Sequence, residues 1–82
     1  MSDFISVTKV FPLENYHLHL FFNTGDEKLF DVTPYLEQGV FRKLKQISFF
    51  KTARVANDTV IWGNGEIDFS PDTLYLKSKR SL

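Results

Sequence analysis

The 82-residue sequence contains no cysteine, which excludes disulfide bonds and thiolate metal ligands. Glycine and proline are scarce, with four and three residues, and no linker or low-complexity segment divides the chain. No stretch approaches the roughly 18 consecutive apolar residues of a membrane-spanning helix. Ten basic residues balance ten acidic ones, so a general affinity for nucleic acid is not indicated. We therefore predict one compact domain over residues 1–82, with a frayed basic tail at 77–82.

Aromatic residues are plentiful, with nine Phe, three Tyr and one Trp. Their large side chains supply the buried area that a small domain needs to fold without covalent cross-links. The N-terminal residues Met1–Phe4 lack a basic segment followed by an apolar run, so we expect no signal peptide. Together with the missing disulfides, this makes the cytoplasm the expected location.

Runs of β-branched and aromatic residues predict five strands, at 5–11, 16–22, 28–32, 52–56 and 59–62. The second run alternates cleanly, which places Leu18 and Leu20 on one face and His17 and His19 on the other. Short helices are predicted after Pro34, from Val40 to Ile47 and after Pro71. The sequence thus indicates an α+β fold, in which a mainly antiparallel sheet of about five strands carries two or three short helices on one face.

The last predicted helix has a clear start signal. Ser70 is expected to be its N-cap, and Pro71 suits the first helical position. The same order of residue types occurs earlier, where Asp31 precedes a Thr-Pro pair as Asp68 precedes Ser70-Pro71. Two matched carboxylates are one interpretation. The favoured one is that each Asp braces a strand-to-helix turn through backbone N–H groups.

Positive charge is concentrated in one part of the sequence. Five basic residues occur between positions 42 and 54 without an acid: Arg42, Lys43, Lys45, Lys51 and Arg54. They alternate with Phe41, Phe49 and Phe50. Such a mixture is typical of a partner-binding surface, for which we select Phe41, Arg42, Lys43 and Lys45. Binding of single-stranded nucleic acid through 42–54 and a merely solvated helix face are the alternatives.

A second candidate surface surrounds the glycine-containing turn after the fifth strand. Trp62, Asn64, Asp68 and Tyr75 could line the rim of a small-ligand pocket, because they combine flat apolar area with polar groups. The competing interpretation is that Trp62 anchors the core, as large aromatic residues commonly do.

Two histidines, His17 and His19, share one side of a strand and lie about 6.5–7 Å apart along it. Such a pair can bind zinc when a third ligand converges, but the sequence identifies none. We therefore predict no metal site and no cofactor. Few groups suited to acid–base catalysis remain, so we expect no enzymatic activity.

Several motifs together resemble a known family. They include Tyr-x-Leu-x-Leu-x-Phe from Tyr16, Phe-Asp-Val-x-Pro-Tyr-Leu from Phe30, and Ile-Trp-x-Asn-Gly-x-x-Asp-Phe-Ser-Pro-Asp-Thr-Leu-Tyr from Ile61. From about Val7 to Leu76 the chain is similar to the small prokaryotic family called domain of unknown function 2442. It departs from the family pattern at Gly63, where members often have Pro, and by one extra residue at Glu66-Ile67. The resemblance implies a compact α+β domain whose gene often neighbours another small gene.

These observations favour a small intracellular protein-interaction or regulatory module without catalytic activity. The gene pairing implied by the resemblance suggests the antitoxin-like half of a two-protein pair. The expected partner is another small protein, and self-association is a further option. Small-ligand binding at the Trp62–Asp68 turn is the alternative, followed by nucleic-acid binding through 42–54.

Overall fold

The computed structural model describes residues 4–80, which form two antiparallel sheets that share one core. The first sheet has the order β1-β2-β3-β7, and the second has the order β4-β5-β6. The strands are β1 (Val7–Pro12), β2 (His17–Phe22), β3 (Glu27–Asp31), β4 (Arg54–Ala56), β5 (Thr59–Trp62), β6 (Ile67–Asp68) and β7 (Lys79–Arg80). The α+β class is confirmed, although the predicted single sheet of about five strands is two sheets with seven described strands.

Short helices connect the two sheets. Two 3-10 helices, Thr33–Tyr35 and Gly39–Lys45, follow β3, and α1 (Ile47–Phe50) precedes β4. The longest α-helix, α2 (Pro71–Lys77), lies between β6 and β7. The helix predicted from Val40 to Ile47 is interrupted at Gln46, whose extended backbone (φ −75°, ψ 110°) separates the second 3-10 helix from α1.

Alternation along β2 positions the first sheet on the core. Leu18, Leu20 and Phe22 are buried, whereas the intervening side chains are only partly covered. This confirms the predicted pattern, because successive strand residues point to opposite faces. The buried face meets α2 and the second sheet, whose strand β5 is buried at all four positions.

Trp62 lies at the centre of the core. Its side chain is 0% exposed, and its indole N–H donates a hydrogen bond to the carbonyl oxygen of Phe50 at 2.8 Å. The ring contacts Phe50 and Phe69, with centroid distances of 6.0 Å to each. A buried indole N–H needs such a partner, so α1 and β5 are fixed to one another.

The two sheets are joined at the tip of the β4–β5 hairpin. Asn57 and Asp58 form its two-residue turn with φ values of 52° and 69°, as predicted for a tight hairpin. The backbone N–H of Val7 donates to the carbonyl oxygen of Asp58 at 2.9 Å, and the Ser6 hydroxyl donates to the Asp58 carboxylate at 2.9 Å. Strand β1 therefore belongs to the first sheet but is also bonded to the second.

The start of α2 confirms the predicted cap. Ser70 has an extended backbone, and its Oγ accepts a hydrogen bond from the backbone N–H of Thr73 at 3.1 Å. At the earlier turn, Asp31 accepts hydrogen bonds from the backbone N–H and the hydroxyl of Thr33 at 2.9 and 2.6 Å. Asp68 is exposed and makes no side-chain hydrogen bond within residues 4–80. The bracing interpretation holds for Asp31 and not for Asp68.

The predicted frayed tail at 77–82 is wrong for residues 77–80. Lys77 is the last residue of α2, and β7 pairs with β3 through Leu29 opposite Lys79 and Lys28 opposite Arg80. The physical reason is that β3 has a second edge with unpaired backbone groups, and a returning strand satisfies them. Ser81 and Leu82 lie outside the described residues.

Candidate functional site

One face of the first sheet is not covered by the rest of the described fold, and we call it the outer face. Its side chains form rows across β1, β2 and β3, because antiparallel partners lie directly opposite one another. The rows are Lys9–Phe21–Glu27, Phe11–His19–Leu29, and His17–Asp31. None of these side chains is buried, whereas the inner face carries Leu18, Leu20, Phe22 and Phe30 in the core.

An aromatic cluster lies at the centre of the outer face. The ring of Phe11 is 5.9 Å from that of Phe21 and 6.3 Å from that of His19, and the rings of His19 and Phe21 are 4.9 Å apart. Phe11 remains 51% exposed despite these contacts. A contiguous aromatic patch that is exposed to solvent is typical of interaction sites.

The histidines on this face are positioned by carboxylates of β3. Nε2 of His19 lies 2.5 Å from Oε2 of Glu27, and Nε2 of His17 lies 3.8 Å from Oδ1 of Asp31. Partial burial by itself raises the pKa of Asp31, but hydrogen bonds from Thr33, together with nearby positive charge, bring that pKa below its usual value of 3.8. Among residues 4–80 no three His, Asp or Glu side chains converge as a metal site would require.

Three of the five basic residues of 42–54 form ion pairs with acids from other parts of the sequence. Lys43 pairs with Glu66 at 2.5 Å, Lys45 with Glu37 at 2.9 Å, and Lys51 with Glu14 at 2.5 Å. Arg54 donates to the carbonyl oxygen of Gly63 at 2.8 Å. Folding thus brings together charges that the sequence keeps apart, and the expected segregation of charge does not persist in space.

The predicted partner surface is only partly assembled. Arg42, Lys43 and Lys45 do lie together, around an open depression of about 410 Å³ that Gln46 and Phe49 complete. Phe41 is not part of it. Its ring stacks on Phe69 at a centroid distance of 4.7 Å and is partly buried against the core, so the structure places it apart from the three basic residues. Stacking on Phe69 removes apolar surface of Phe41 from water, which accounts for this position.

The four residues chosen for a ligand pocket line neither of the two depressions described within residues 4–80. Trp62 is buried, so its assignment to a pocket rim was wrong. Asn64 and Asp68 are exposed, while the ring of Tyr75 packs against that of Phe22 in the first sheet, with a centroid distance of 5.0 Å. The Tyr75 hydroxyl donates to the Asp26 carboxylate at 2.5 Å. That hydrogen bond holds the pKa of Asp26 below its usual value and raises the pKa of Tyr75 above its own.

A second depression of about 240 Å³ adjoins the outer face where β7 meets β3. It is lined by His17, Leu29, Asp31, Lys77, Lys79 and Arg80. This site was not predictable from the sequence, because it depends on β7 returning to pair with β3. The aromatic cluster was also missed, although Phe21 is an apolar residue at an outward position of β2 and so carried a detectable signal.

Fold and surface together define a class: a small α+β domain whose two antiparallel sheets enclose one aromatic-rich core, with one sheet face left open. No helix within residues 4–80 has both the length and the apolar character needed to cross a membrane. The chain belongs to the family described as "Protein of unknown function (DUF2442)", whose model matches residues 7–80. No curated protein and no solved structure matches the chain.

Proposed function

We propose that this protein is a non-catalytic protein-interaction module that binds another polypeptide through the outer face. The observation that carries the proposal is the half-exposed ring of Phe11 above His19 and Phe21. Interfaces depend on a few buried aromatic anchors surrounded by polar groups, and the outer face supplies both.

Magnitudes favour the outer face over the basic depression. Covering the exposed half of a Phe side chain removes about 100 Å² of apolar surface from water, which is worth about 2–3 kcal/mol. In the depression, Lys43 and Lys45 must first exchange existing partners, and surface ion pairs contribute about 0–1 kcal/mol each. Apolar anchoring on the outer face therefore contributes more binding energy than charge at 42–45.

The structure favours the two alternative functions less than protein binding at the outer face. Binding of nucleic acid through 42–54 would have to displace the ion pairs of Lys43, Lys45 and Lys51. Ligand binding at the Trp62–Asp68 turn would need an accessible Trp62, and Trp62 is buried in the core. Within the proposal, the protein is the regulatory, antitoxin-like half of a cytoplasmic two-protein pair. The gene pairing implied by the family resemblance and the absence of cysteine support this finer assignment.

Site-specific photo-crosslinking in the native cell tests the proposal. A benzophenone-bearing phenylalanine analogue replaces Phe11, and the same analogue replaces Leu76 as the matched control, since Leu76 is 76% exposed on α2. We expect a discrete protein adduct from position 11 and none, or a diffuse background, from position 76. Equal adducts at both positions, or none at position 11, would refute the assignment of the outer face.

A further inference from the structure

The charges and apolar groups of the outer face are arranged as two complementary columns on either side of β2. The β1 column carries Lys9 and Phe11, and the β3 column carries Glu27 and Leu29 in the same two rows. In the first row, the cation Lys9 on β1 and the anion Glu27 on β3 lie on opposite sides of β2. In the next row, the aromatic ring of Phe11 and the aliphatic side chain of Leu29 lie on opposite sides of β2 in the same way.

From this arrangement, and resting on the proposed function, we infer that the polypeptide bound by the outer face is a second copy of this chain, so that the regulatory half of the proposed two-protein pair is itself a dimer. A two-fold axis parallel to β2, running between two outer faces, exchanges the β1 and β3 columns and keeps each row. Lys9 of one copy then faces Glu27 of the other, and Phe11 faces Leu29. Phe21 meets its own counterpart near the axis, as expected for an isologous interface.

The geometry of sheet packing accommodates these contacts. Two sheets packed face to face lie about 10 Å apart, with their strands crossing at about 30°. Long side chains such as Lys9 and Glu27 span the lateral offset that this angle introduces. Lys9 is exposed and makes no ion pair within residues 4–80, so it gains a partner without losing one. Glu27 retains His19 on its other side.

Association through the face is also favoured over association through the β1 edge of the sheet. Along β1, Pro12 offers no backbone N–H, and the pairing register shifts between Val7 and Lys9 as in a β-bulge. Both features block the addition of a strand at an edge. The N-terminal end of β1 is further occupied by the hydrogen bond from Val7 to Asp58.

The expected dimer is weak. Three strands and three rows span roughly 15 Å by 20 Å, which is about 300 Å² of projected face per copy. This is well below the roughly 800 Å² per partner of a stable complex, so we expect a dissociation constant on the order of 100 µM. Dimers should therefore form only at high protein concentration or high local density.

A charge-exchange experiment tests the inference by sedimentation velocity between about 10 µM and 1 mM, a range set by the expected affinity. Lys9→Glu alone and Glu27→Lys alone should each weaken the dimer at least about tenfold, because like charges then face one another. The combined Lys9→Glu/Glu27→Lys protein should regain the wild-type affinity to within about threefold, since the attraction is restored with opposite sign. Arg42→Glu is the control. It reverses one exposed positive charge on the second 3-10 helix, which is not part of the outer face, and should leave the affinity within about twofold.

A wild-type chain that stays monomeric at 1 mM, or single variants that dimerise as well as the wild type, would overturn the inference. Circular dichroism of each variant separates loss of association from loss of folding. The crosslinking experiment distinguishes this failure from that of the proposed function. Adducts at twice the 9.6 kDa chain mass support a second copy, whereas adducts of other mass at position 11 keep the proposed function and exclude self-association as its mode.

Discussion

Replacing Trp62 by phenylalanine should destabilise the domain by about 2–5 kcal/mol. The missing pyrrole ring leaves a cavity that costs about 1–2 kcal/mol in a core with no exposed wall to collapse. The carbonyl oxygen of Phe50 loses the hydrogen bond that it accepts at 2.8 Å, and an unpaired buried acceptor costs about a further 1–3 kcal/mol. A domain of this size has a total stability of about 4–12 kcal/mol, so the loss is a large part of it.

Urea denaturation followed by far-ultraviolet circular dichroism measures this change, because tryptophan fluorescence is lost with the substitution. A benzothienyl analogue of tryptophan at position 62 isolates the hydrogen bond, since it keeps the bicyclic shape without the N–H donor. We expect it to recover the cavity part of the loss and to retain about 1–3 kcal/mol from the unpaired carbonyl. If Trp62→Phe costs less than about 1 kcal/mol, the assignment of Trp62 as the packed centre of the core is refuted.

Two further substitutions test local features of the fold. Ser70→Ala should lower the free energy of unfolding by about 1 kcal/mol, because the N–H of Thr73 loses its capping oxygen. Ser70→Asp should restore most of this loss, because a carboxylate can cap the same N–H. Equal stability of the wild type and Ser70→Ala would contradict the cap. Tyr75→Phe should make stability less sensitive to acid. The hydrogen bond from the Tyr75 hydroxyl is the main cause of the lowered pKa of Asp26 in the folded state. The ionised Asp26 therefore stabilises the fold at pH values above its ordinary pKa of 3.8, and this stabilisation is lost as the pH falls below that value. Urea midpoints at neutral and acid pH should converge more in Tyr75→Phe than in the wild type, and parallel acid profiles would contradict the role of this hydrogen bond.

Features specified by neighbouring residues were predictable from the sequence. The alternation of β2, the Asn57-Asp58 turn and the Ser70 cap each depend on a few consecutive positions. Local chemistry acts there without help from distant parts of the chain. Short strands were not predictable in this way, because β6 and β7 have two residues each and exist only through pairing with β5 and β3.

The candidate site illustrates the same division. The rows of the outer face depend on the register between β1 and β2, and that register is fixed by the intervening turn, where Tyr16 adopts a φ of 63°. A left-handed tyrosine is not suggested by residue type, since such values favour Gly or Asn. The charge of the basic segment 42–54 was overestimated from the sequence for a related reason. Glu14, Glu37 and Glu66 lie outside this segment in the sequence, but in the fold they form ion pairs with its lysines.

The hydrogen bond from Val7 to Asp58 also has a consequence during synthesis of the chain. Strands β1 to β3 are made first and can pair at once, because each follows its neighbour through a short turn. Their inner face, with Leu18, Leu20 and Phe30, is covered only when the strand that contains Trp62 has left the ribosome. At about 5–20 residues per second this takes about 2–6 s. Throughout that interval the nascent sheet exposes an apolar surface to chaperones. The joint at Asp58 then holds the second sheet against β1, and the later arrival of α2, with Leu74, completes the cover.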